Sequence, residues 1–136
     1  MDRRSLLKLS LLGIAGAATP TLVTAKNTNS MAGGLFYTRE NPGRWAKKVD
    51  SHFPVMEKMA EGKIKVVTSH PMDEYKHYIV KHMLLDQDFN FIAEKMFDPT
   101  KDKVAISTFD IGSYKGKLHV LSVCNQHDTW MNTTSV

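Results

Sequence analysis

Between residues 41 and 116 turn signals interrupt the chain so often that no long helix has room to form. They are Asn41-Pro42-Gly43, Glu61-Gly62-Lys63, Asp86-Gln87-Asp88, the run Asp98-Pro99-Thr100-Lys101-Asp102, and Gly112-Ser113-Tyr114-Lys115-Gly116. Glycine reaches backbone angles closed to other residues, and proline removes a donor and stops a helix that runs into it. The segments in between, 53–57, 63–68, 77–85, 89–97, 103–109 and 117–124, are rich in apolar and β-branched residues. In the last of them Leu118, Val120 and Cys124 share one face by the two-residue period of a strand. With Leu35-Phe36-Tyr37-Thr38 ahead of them, they predict an all-β fold, an immunoglobulin-like antiparallel β-sandwich of about seven strands. The sequence contains no internal repeat and no low-complexity segment.

The N-terminus is set apart from this pattern. Arg3-Arg4 opens it as a twin-arginine start, residues 6–18 are apolar but too short and too rich in Gly and Ala to span a bilayer stably, and Val23-Thr24-Ala25 offers a small-residue cleavage site. This order predicts a twin-arginine signal peptide over 1–25, export in the folded state to the periplasm, and a single domain over 26–136. Removing Arg3, Arg4, Lys8 and Asp2 lowers the formal net charge from +4 to +2. No basic stripe with interleaved aromatics remains, which argues against nucleic acid as a partner. A single cysteine excludes an intramolecular disulfide in a compartment that favours them, so Cys124 needs another reason to be there.

The stretch Ser122-Val123-Cys124-Asn125-Gln126-His127-Asp128-Thr129-Trp130 supplies a candidate. A thiolate and an imidazole two residues apart on a turn can converge on one transition metal while peptide N–H groups point at the sulfur. Alone, the pattern is more often a half-buried cysteine and a surface histidine at chance spacing. The remaining histidines add weight, because His52, His70 and His77 lie at the edges of predicted strands, His52 at the start of the first and His70 ahead of Pro71. His82 and His119 stand five residues from His77 and Cys124, an odd separation that puts each on the opposite strand face, as surface or internally satisfied histidines.

The segments His52-Phe-Pro-Val55, His70-Pro-Met72, His77-Tyr-Ile79, Lys115-Gly-Lys-Leu118 and Leu121-Ser-x-Cys124-Asn-x-His127-x-x-Trp130 resemble the superoxide reductases of the neelaredoxin type. That resemblance implies an immunoglobulin-like sandwich carrying one iron per chain, bound by His52, His70, His77, His127 and Cys124. It implies the one-electron reduction of superoxide to hydrogen peroxide, a homo-oligomer, and an electron donor that in the periplasm would be a cytochrome or a rubredoxin-like protein. The chain also departs from the family pattern. Six residues instead of five separate His70 from His77, Asp50-Ser51 replaces a Glu-Lys pair, and Asp128 replaces a glycine. Asp50 is then the candidate cap of the oxidised iron, and Lys48, or Lys47, the candidate cation that attracts superoxide. Two other readings are a non-enzymatic iron protein, acting as electron carrier or redox sensor, and a metal-free exported sandwich that binds a partner.

Overall fold

Six of the apolar segments become strands, and no strand end moves by more than two residues from its predicted place. The computed structural model describes residues 31–136; the predicted signal, 1–25, lies outside them. The strands are β1 (Val55–Met59), β2 (Lys63–Thr68), β3 (Ile79–Leu85), β4 (Phe91–Met96), β5 (Ala105–Asp110), β6 (Lys117–Cys124) and β7 (Asp128–Ser135). The seventh strand differs from the expected one. Residues 35–38 contribute only isolated bridges, from Phe36 to Ala32 and from Tyr37 to Trp130, whereas the polar segment after His127 forms β7, because it pairs along the whole of β6. Residues 43–52 are also helical, as 3-10 turns over Gly43–Lys48 and one short α-helix, α1 (Val49–His52). His52 therefore ends a helix and does not begin a strand.

Two antiparallel sheets face each other, one ordered β1-β2-β5 and the other β4-β3-β6-β7. The period of two decides what lies between them: Ile64, Val66 and Thr68 from β2, Ala105, Ser107 and Phe109 from β5, and Leu118, Val120, Ser122 and Cys124 from β6 are buried. The apolar core falls into two clusters. Ile64, Val66, Leu84, Phe109, Leu118 and Val120 fill one end, and Met72, Ile79, Phe97, Ala105 and Cys124 the other.

His82 departs from its expected orientation. The pairing of β3 with β6 shifts register between Ile79 and Lys81, so parity counted from His77 fails and His82 turns inward with Ile79 and Leu84. It is fully buried. His119 does lie on the outer face, where the Phe89 ring stacks on it at 4.3 Å and its Nδ1 meets Thr133 Oγ1 at 2.7 Å.

Candidate metal centre

At the end of the sandwich where β2 stops, β3 begins and β6 turns into β7, five donor side chains meet. His52 ends α1, His70 follows β2, His77 precedes β3, Cys124 ends β6 and His127 lies in the turn before β7. One donor atom from each lies within 4.8 Å of all the others. The Nε2 atoms of His52 and His77 are 3.2 Å and 3.1 Å from His127 Nδ1, and the Nε2 atoms of His70 and His77 are 3.1 Å apart. The Cys124 sulfur is 3.7 Å from His70 Nε2 and 3.6 Å from His127 Nδ1.

The outward nitrogens decide what this cluster can hold. His52 Nδ1 is 3.0 Å from the Lys48 carbonyl and His70 Nδ1 bonds the Pro71 carbonyl, and a carbonyl can only accept, so the proton of each ring is on the outside. Burial, together with the neighbouring histidines, lowers the pKa of His52 to about 4, and burial lowers that of His70 to about 4, which keeps both rings neutral. Their Nε2 lone pairs therefore face inward without protons. A ring N–H of His77 or His127 can donate to these lone pairs, and a cation among them would be held by all of them at once; backbone carbonyls that fix the tautomer are the usual support of metal-binding imidazoles. Burial likewise pushes the Cys124 thiol up, with the backbone N–H groups of Gln126 and His127 acting the other way. A bound cation would supply the positive charge a thiolate needs there. Four imidazoles and a thiolate suit a transition metal, and five donors exceed the four of tetrahedral zinc.

The surrounding residues hold these donors in place. The longer segment after His70 closes as a small turn, with paired backbone bonds between Asp73 and His77 at 2.9 Å and 3.2 Å and Glu74 at φ 43°. Asn125 clamps that turn to the Cys124–His127 segment, accepting from the Tyr78 N–H at 3.0 Å and donating to the Lys76 carbonyl at 3.1 Å. The Gln126 amide donates to the same carbonyl at 2.7 Å. Buried Trp130 donates its indole N–H to the His127 carbonyl at 3.0 Å, and its ring lies 5.8 Å from that of His52. Asp128 sits at φ 65°, in the left-handed region that glycine occupies without penalty. Its carboxylate accepts from the Trp45 indole at 2.8 Å and pairs with Arg44, and these contacts hold its pKa below the ordinary value. The Trp45 ring stands edge-on to His127 at 4.7 Å.

Lys48 and Asp50 have different relations to the cluster. The Lys48 charge acts on His70, on His127 and on Cys124, in each case as a lesser influence than burial. The Asp50 side chain is 97% exposed, lies 3.4 Å from Arg39 and is not one of the five grouped donors. Neither the carbonyls of Lys48 and Pro71 nor the Asn125 and Gln126 clamp is predictable from residue type. Trp45 and Arg44 carry no local signal either, since their partner lies 83 and 84 residues away.

Solved structures share this architecture. Over 76% of this chain and 95% of the other, the structure is similar to a superoxide reductase (neelaredoxin) from Ignicoccus hospitalis, at 23% identity and a TM-score of 0.59. Over 64% of this chain and 99% of the other, it is similar to a one-iron superoxide reductase from Giardia intestinalis, at 21% identity and a TM-score of 0.54. A superoxide reductase in the oxidised state is 30% identical over 65% of this chain and 90% of its own, at a TM-score of 0.52. A search of curated proteins gives no match. The family model described as Desulfoferrodoxin matches residues 44–133, the span that carries all five donors, and the chain belongs to that family.

Proposed function

We propose that this domain reduces superoxide to hydrogen peroxide, with one iron held by His52, His70, His77, His127 and Cys124. The observation that carries this reading is the convergence of four imidazole nitrogens and one sulfur within 4.8 Å, in a chain of the Desulfoferrodoxin family. Iron bound there supplies a one-electron ferrous–ferric couple, so that superoxide takes one electron and two protons and leaves as hydrogen peroxide. Cys124, as a thiolate steadied by the N–H groups of Gln126 and His127, donates electron density to the metal, as the cysteine of haem monooxygenases does.

Access is from the side of His77 and His127, which are half-buried while His52 and His70 are buried. Lys48 provides positive potential on that approach and draws in the small anion. Arg44 offsets the Asp128 carboxylate, so the aspartate in place of glycine does not repel superoxide. Asp50, the candidate cap of the oxidised iron, is exposed and paired with Arg39. The Arg3-Arg4 motif supports export by the twin-arginine route to the periplasm, where a cytochrome or rubredoxin-like protein would be the electron donor, and membership of the family supports a homo-oligomeric assembly.

The test is to mix the pre-reduced, iron-loaded protein with superoxide and follow both oxygen and peroxide. A reductase yields one peroxide per superoxide consumed and no oxygen. If the ferrous protein ignores superoxide but exchanges electrons with a cytochrome, it is a carrier and this reading fails.

A further inference from the structure

Between the two apolar clusters of the core lies a layer made entirely of polar side chains. His82 of β3 contacts Ser107 Oγ of β5 through Nδ1 at 2.7 Å and Thr68 Oγ1 of β2 through Nε2 at 2.8 Å. Thr68 Oγ1 is in turn 2.8 Å from Ser122 Oγ of β6. Thr68, His82 and Ser122 are at most 2% exposed and Ser107 is 6% exposed. Among the described residues no buried side-chain nitrogen or oxygen lacks a partner, so the layer is complete. Burial keeps the His82 ring neutral, which leaves it one N–H to donate to one hydroxyl and one lone pair to accept from the other.

The position of the layer is informative. Thr68 and Ser107 belong to the three-stranded sheet, His82 and Ser122 to the four-stranded one, so every contact in the layer runs from one sheet to the other. Thr68 stands two residues before His70, and Ser122 two before Cys124. The donors divide the same way, His52 and His70 flanking the smaller sheet and His77, Cys124 and His127 belonging to the larger. Apolar side chains could fill this space without loss of stability, but their contacts tolerate sliding, whereas hydrogen bonds fix both distance and direction.

We propose that His82, with Thr68, Ser107 and Ser122, is a positioning layer that sets the offset of the two sheets beneath the centre and thereby places Cys124 against His70. This rests on the iron reading above. His82 touches none of the donors and acts through the strands that carry them.

The experiment compares iron-loaded wild type with His82→Leu and with a layer variant carrying Thr68→Val, His82→Leu, Ser107→Ala and Ser122→Ala. The readouts are the energy of the thiolate-to-iron charge-transfer band, iron retained against a chelator, and the thermal midpoint of the metal-free protein. Both variants should shift the band and lose about tenfold in iron affinity, the effect typical of residues that orient ligands. The layer variant, with no orphaned polar group, should keep a midpoint at or above that of wild type. A layer variant that folds with the wild-type band and affinity overturns the proposal. Should neither variant fold, Ser107→Ala carries the test, since it frees only one side of His82; an unchanged band and affinity there overturns the proposal equally. A wild type that binds no iron is a failure of the iron reading instead, and is read before any variant.

Discussion

The Cys124 sulfur lies 3.7 Å from His70 Nε2, although the cysteine ends a strand of one sheet and the histidine follows a strand of the other. The centre is therefore a tertiary object, assembled only when the sheets are correctly paired and stacked. Its donors make distinct contributions, which substitutions separate.

Replacing Cys124 by serine removes the sulfur donor while preserving size. The oxidised, iron-loaded protein should lose its thiolate-to-iron charge-transfer band, measured by visible absorption, and its reaction with superoxide should slow by at least about tenfold, as expected when electron donation from sulfur is lost. A retained band would place the thiolate elsewhere.

Ligand and bystander histidines should part in a chelator competition. His70→Ala and His77→Ala each remove an inward nitrogen and should release iron about tenfold more readily or worse. His119→Ala, on the outer face beneath Phe89, should retain iron as wild type does and cost about 1 kcal/mol of stability.

The Asn125 clamp should matter to His77 more than to the fold. Asn125→Ala removes the acceptor of the Tyr78 N–H and a donor to the Lys76 carbonyl, loosening the turn that carries the ligand. Iron affinity should fall about tenfold, with the far-ultraviolet circular dichroism unchanged. Wild-type affinity would mean that the backbone pairing of Asp73 with His77 and the Gln126 amide hold the turn without it.

Acid should destabilise the metal-free protein in a defined window. Burial depresses the pKa of His52, His70 and His82 to about 4, below the ordinary 6.5, so the unfolded chain binds protons first. The contribution of these neutral rings to stability is complete above pH 6.5 and is lost as the pH falls from 6.5 towards 4, with a slope set by the difference in bound protons. Urea midpoints measured across that window should show a slope smaller by about one proton in His82→Leu.

Lys48→Ala should slow the reaction of the ferrous protein with superoxide by about threefold and flatten its dependence on salt, because steering by one cation is screened over about 10 Å at 0.1 M. Stopped-flow mixing at two ionic strengths measures both. An unchanged rate and salt slope would assign the steering to another cation.

The strands and the donors are legible in the sequence for different reasons. β2 and β6 begin and end as predicted because alternation and flanking turns agree there, and His52, His70, His77, Cys124 and His127 stand out because few residue types bind soft metals. β7 is not legible, since Asp-Thr-Trp-Met-Asn-Thr-Thr-Ser owes its strand to pairing with β6 and not to its own pattern. The inward turn of His82 depends on a register shift that no periodicity announces. The pairing of Asp128 with Arg44 and Trp45 joins distant segments, and only the folded chain brings them together.

The five donors run from His52 to His127, and the single cysteine leaves the domain without a disulfide to join its sheets. A bound ion ties the same strands that a cystine would tie in another sandwich, and it stabilises the folded state more as its free concentration rises. The cross-link is thus reversible by supply instead of by redox potential: a chelator should unfasten this domain as a thiol reductant unfastens a disulfide-bonded one.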